Sequence, residues 1–157
     1  MTRKTMIIVH HSGAPGSTYE TIDKTHRNEK GFTRIGYHMV IEKNGRPRKG
    51  REDSDIGAHT LGIYNQCGLG VCLCGDFNKS GINPIQWSAL VKVIAEWCVK
   101  HGIVPSASTI VGHKDKQPKK KGKGKVWDNT CPGNNVYARL PELRSEVATR
   151  IASLDIA

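Results

Sequence analysis

Leu69 to Leu73 is a short apolar run set among glycines. That pattern suits a central strand buried on both faces, and it constrains the rest of the chain. The sheet around it must be covered, so helices have to pack on it. Residues 5–10 read as a further strand, rich in β-branched and apolar side chains. Alternation puts Met6, Ile8 and His10 on one face and Ile7, Val9 and His11 on the other. Residues 36–41 read as another strand, with Tyr37, Met39 and Ile41 on one side and His38 and Val40 on the other. Asn44-Gly45 marks a hairpin, because both residues tolerate positive φ, and 46–51 form the return strand. Residues 108–111 give one more short strand, ending at His113.

Three helices are expected between and after these strands. Ser17-Thr18-Tyr19-Glu20 has the form of a capping box, opening a helix through Ile22 and His26 that stops near Gly31. Asn83-Pro84 opens a longer one, with proline at the first helical position. Trp87, Leu90, Val91, Ile94, Trp97 and Cys98 form its apolar stripe, and Gly102 closes it as a left-handed cap. The last helix opens at Pro141 and carries Leu143, Val147, Ile151 and Leu154 on one face. Residues 61–70 read as turn-rich. The expectation is an α/β fold: one domain over residues 1–157, a mixed central sheet flanked by helices.

His10 and His113 each close an apolar strand, and residues at strand ends often line a cleft. With Cys131 they make a set of two imidazoles and one thiolate, which suits Zn²⁺. Three protein ligands leave the fourth position to water, the mark of a catalytic rather than a structural site. Their spacing is not that of a zinc finger or ribbon. His26 reads as a packed or exposed residue, and His11 and His38 as core or supporting residues. Cys72 and Cys74, two apart on a strand, read as core thiols.

Charge narrows the partners. The formal net charge is +10, which favours a polyanion: nucleic acid, an acidic membrane surface or an anionic wall polymer. Much of that excess lies in residues 119–125, which read as a solvated loop. The basic residues do not combine with stacking aromatics on any one helix or strand, which argues against a nucleic-acid binder. No apolar run reaches the roughly 18 residues of a membrane span. The apolar stretch 6–9 is shorter than a signal-peptide core, so the product is expected in the cytoplasm when made. The odd count of cysteines, five, fits reduced thiols.

Several pieces occur together in a specific order: Val9-His10-His11-Ser12, then Gly36-Tyr37-His38-Met39-Val40-Ile41, Asn44-Gly45, Gly50-Arg51, Gly57-Ala58-His59, Gly70-Val71-Cys72-Leu73, Gly112-His113 and Cys131-Pro132-Gly133. The ordered set resembles the zinc-dependent N-acetylmuramoyl-L-alanine amidases, in the branch of T7-type phage lysozymes and peptidoglycan-recognition proteins. The resemblance implies one Zn²⁺ held by His10, His113 and Cys131. It implies a catalytic role for Tyr37 beside the metal, and a place for His59 in the substrate cleft. The family's catalytic lysine or threonine, two residues before the cysteine ligand, is here Asn129. Its amide can donate a hydrogen bond but carries no charge. The implied activity is hydrolysis of the amide between N-acetylmuramic acid and L-alanine in peptidoglycan, as in a phage endolysin. The protein would act as a monomer on the cell wall, after release through the membrane and without inserting in it. Two other readings stand beside this one: a non-catalytic peptidoglycan binder of the same fold, and a basic nucleic-acid-binding protein.

Overall fold

The computed structural model describes residues 3–116, 121–122, 125–126 and 130–156; for 121–122, 125–126, 155 and 156 it describes the backbone alone. A five-stranded sheet runs in the order β3-β2-β4-β1-β5. Its strands are β1 (Met6–His11), β2 (Met39–Ile41), β3 (Pro47–Lys49), β4 (Gly68–Leu73) and β5 (Ile110–Gly112). β2, β4, β1 and β5 are parallel, and β3 returns antiparallel from the Asn44-Gly45 turn. Gly45 adopts φ 85° there, where a side chain would be strained. Every residue of β4 is buried, as its two-sided apolar run requires.

The first face of the sheet packs against two long helices, α3 (Pro84–His101) and α6 (Leu140–Ile156). Ile7 and Val9 of β1 join Leu69, Val71 and Leu73 of β4 in this core, with Leu90, Ile94 and Trp97 from α3 and Leu143 and Val147 from α6. α3 is bounded as its residues dictate: the Asn83 side chain accepts from Gln86 N, Pro84 opens the helix, and Gly102 caps it at φ 67°. α6 starts one residue before Pro141, and Leu154 on its expected apolar face is 44% exposed. Leu154 therefore lies at the surface and not in the core.

The second face carries a smaller core of Ile22, Ile35, Val40, Cys72 and Cys74, under α1 (Tyr19–Asn28). Cys72 and Cys74 are core thiols, as two same-face positions of a buried strand should be. α1 begins one residue later than expected. Thr18 is its cap and Thr21 completes the reciprocal pair. Ser17 is diverted, bonding Ser12 and Ala14, and Glu20 pairs with Arg48 instead. The expected strand 36–41 shortens to β2, because the chain bends at 36–38. The cause is close backbone approach: a Cβ on Gly36 would sit 2.2 Å from Ala58 O, and one on Gly50 2.2 Å from Tyr37 O. Strand alternation fails across the bend, so Tyr37 packs with Val40 and not with Met39 and Ile41.

Short elements complete the chain. α2 (Ile63–Cys67) replaces part of the turn-rich stretch, α4 (His113–Lys116) follows β5, and α5 (Asn134–Tyr137) precedes α6. Within the expected basic loop, β6 (Lys121–Gly122) and β7 (Lys125–Val126) pair as an antiparallel ribbon; the rest of that loop lies outside the described residues. Among the described residues, no helix is long and apolar enough to cross a membrane.

Candidate metal centre and cleft

β1 and β5 are parallel neighbours, with Val9 opposite Gly112. One residue further, at the carboxyl ends of both strands, lie His10 and His113. The register alone brings these two imidazoles side by side, with ring centroids 4.5 Å apart. Cys131 reaches them from a turn that three contacts hold in place. Lys114 N donates to Cys131 O at 3.0 Å, and His11 N donates to Cys131 Sγ at 3.3 Å. Gly133, at φ 91°, packs so tightly on Phe77 that a Cβ would lie 2.6 Å from its backbone.

One ligand-capable atom from each of His10, His113 and Cys131 lies within 4.8 Å of the others. Among the described residues this is the metal-capable group of such side chains. His10 Nδ1 and Cys131 Sγ are 3.7 Å apart. Tetrahedral zinc with its usual Zn–N and Zn–S bonds separates such a pair by roughly 3.5 Å. The donor set therefore fits zinc in kind and in spacing. Burial and the surrounding histidines hold His10 well below the ordinary imidazole range, so it is neutral and can offer a lone pair. Burial pushes the Cys131 thiol up to about 12, opposed by the His11 N–H. A cation at this spot would reverse that preference and favour thiolate.

Tyr37 flanks His10 at 5.1 Å between ring centroids. Burial, and then the neighbouring Cys72 and Cys131, push its hydroxyl well above the usual phenol range. It stays a protonated donor at neutral pH. His59 is 7% exposed and sits against His10, Nε2 of His10 lying 2.9 Å from Nδ1 of His59. Tyr37, His59 and His113 line one cleft of about 460 Å³ with His26, Lys30 and Asn65. A second cleft, of about 490 Å³, runs on past Tyr37, His26 and Lys30 to Ser12 and Ser17. Together they form a groove passing the metal-capable cluster. Asn129 lies outside the described residues.

His11 and His38 support the site, as expected, together with residues that carry no sequence signal. His11 Nδ1 accepts from Phe77 N at 3.1 Å, and Phe77 O accepts from Asn135 N at 2.9 Å, so His11 braces the Cys131 turn through Phe77. Asp115 accepts from Gly112 N and from the Tyr137 hydroxyl, which fixes the start of α4 beneath His113. His38 and His26 each accept a backbone N–H on Nδ1, from Gly70 and Gly36 respectively. These two make the fold sensitive to acid. Burial lowers both from 6.5 to about 4. Below pH 6.5 the unfolded chain thus binds protons that the folded chain refuses. The stability they contribute is complete above pH 6.5 and is lost as pH falls toward 4, by up to about 1.4 kcal/mol per pH unit for each. The thermal midpoint should drop steeply across that window; a flat midpoint would contradict this assignment.

Comparison with known proteins now decides the family. The N-acetylmuramoyl-L-alanine amidase family matches residues 1–134. The chain belongs to that family. Its amidase-type fold is shared with the N-acetylmuramoyl-L-alanine amidase LysC from Clostridium intestinale, at a TM-score of 0.77 and 28% identity, covering 94% of this chain and 87% of that one. Peptidoglycan-recognition protein LB of Drosophila melanogaster is 29% identical over 143 residues, 85% of this chain and 56% of its own length. The endolysin of Enterobacteria phage K11 is 36% identical over 96 residues, 58% of this chain and 60% of its own. The chain thus spans little more than half the length of these curated relatives.

Proposed function

We propose that this amidase-family chain hydrolyses the amide between N-acetylmuramic acid and L-alanine in peptidoglycan, with one zinc held by His10, His113 and Cys131. The observation that carries the reading is the convergence of two imidazoles and one thiol at one point beside an open groove, in a chain of this family. When bound, zinc supplies a Lewis acid for the scissile carbonyl and brings the pKa of water down toward roughly 7.

The chain's own residues do the rest. The Cys131 thiolate offsets part of the cation's charge. Tyr37 donates its hydroxyl hydrogen to the carbonyl oxygen as charge develops there, and the raised phenol pKa keeps that proton available at neutral pH. Asn129 stands where the family carries lysine or threonine and would serve as a second, uncharged donor. His59 and His113 wall the groove on the side of the ligand cluster. The basic balance of the chain suits an anionic wall polymer. Among the relatives are phage endolysins. We read the same lytic role here, on the wall of a host cell in whose cytoplasm the chain is made.

Incubation with purified walls tests this. New amino termini should appear, all of them L-alanine, with no new reducing sugar ends. Wall binding without new amino termini would favour the non-catalytic binder, and salt-sensitive DNA binding without wall cleavage would favour the nucleic-acid reading. Tyr37→Phe should lower kcat by a factor of about a hundred or more while zinc content stays unchanged. Unaltered kcat in that variant would remove Tyr37 from the reaction.

A further inference from the structure

His59 is buried in a slot built for its ring. A Cβ on Gly57 would come within 2.4 Å of it, and a Cβ on Gly70 within 2.6 Å. Both positions are glycine because a side chain on either would occupy the ring's space. The segment carrying His59 is tied down by one amide. Asn65 Oδ1 accepts from His59 N and Thr60 N, each at 2.9 Å, and Asn65 Nδ2 donates to Thr60 O. The ring thus sits in a tight slot on an anchored segment.

Its hydrogen bonds then fix a direction. Gly68 O lies 3.2 Å from His59 Nε2, and a carbonyl only accepts, so Nε2 carries the proton. The neutral ring is left with a lone pair on Nδ1. His10 Nε2, 2.9 Å from that lone pair, must therefore carry the His10 proton. The His10 lone pair is then on Nδ1, the atom 3.7 Å from Cys131 Sγ. The chain from the Gly68 carbonyl through two imidazoles ends on the atom that faces the other ligands.

We propose that His59 is a positioning residue: it holds His10 in the tautomer that presents Nδ1 to the metal. The inference rests on the zinc reading above and deepens it. Both nitrogens of His59 are engaged within the protein, so towards the groove the ring offers its face and not a free polar atom. Outer groups that orient a histidine ligand commonly govern metal affinity by 10- to 100-fold.

Two measurements on the full chain test the idea. Long-range ¹H–¹⁵N spectra of the zinc-free wild type should show both His10 and His59 protonated on Nε2. In chelator competition, His59→Ala should weaken zinc binding about 10- to 100-fold. His59→Asn, whose amide oxygen can still accept from His10, should recover most of that loss. A His10 proton on Nδ1 in the wild-type spectrum overturns the proposal, even if His59→Ala fails to fold. So does unchanged zinc affinity in a folded His59→Ala. Wild-type protein that takes up no zinc would instead sink the metal reading itself.

Discussion

Cys131→Ser is expected to abolish wall hydrolysis and to weaken zinc binding by at least about a hundredfold. Thiolate is a far better zinc ligand than an alcohol, which stays protonated at neutral pH and does not reach the Zn–S distance of about 2.3 Å. The fold should survive, because a serine hydroxyl can still accept the His11 N–H that now points at Sγ. The turn itself is held by contacts the substitution leaves alone: Lys114 N to the Cys131 carbonyl, and Gly133 against Phe77. Zinc-free wild type and variant should therefore unfold within about 1 kcal/mol of each other, in the usual range for a small hydrogen-bonded replacement. Zinc competition, wall hydrolysis and thermal unfolding on the same two proteins separate ligand loss from fold loss. A serine variant that keeps its zinc and its activity would reduce Cys131 to one more half-buried thiol.

Gly70→Ala should be a strongly damaging single methyl in the sheet. The new Cβ would meet His59 Cγ and Cδ2 at 2.6 Å and Nδ1 at 2.7 Å. The ring has little room to shift, since Gly57 also packs closely on it. Either β4 or the His59 segment must shift, at a cost of about 1–3 kcal/mol or more for overpacking of this kind. Displacing the ring also breaks its contact with His10, so zinc affinity should fall with stability. Gly81→Ala is the control, because an added Cβ there meets nothing within 4 Å. Denaturant unfolding of both variants gives the comparison. A Gly70→Ala protein as stable as Gly81→Ala would mean that the slot is not tight.

The two predictions differ in how far the sequence alone foresees them. Cys131 is placed with His10 and His113 by the ordered family motifs, since residue type alone does not choose these three among seven histidines and five cysteines. Elements whose signals are local are legible without such motifs. Asn83, Pro84 and Gly102 bound α3 where their side chains say, and Asn44-Gly45 turns the β2–β3 hairpin. The two-sided apolar run of β4 puts it at the centre of the sheet. Tyr37 is harder. Its face depends on a bend forced by Ala58 and Gly50, which are distant in sequence. The α1 cap moved from Ser17 to Thr18 for a similar reason, since Ser12 claims the Ser17 hydroxyl. His59 is legible as a cleft residue. Its bond to His10 depends on loop placement, and no spacing rule encodes that. Phe77, which braces the Cys131 turn, carries no chemical signature at all.

Metal analysis of the purified, dialysed chain tests the central claim most directly. The account predicts about one zinc per chain, removed by a strong chelator together with wall hydrolysis, and both restored by adding zinc back. Wall hydrolysis by protein that holds no metal, or that a chelator leaves untouched, would contradict it.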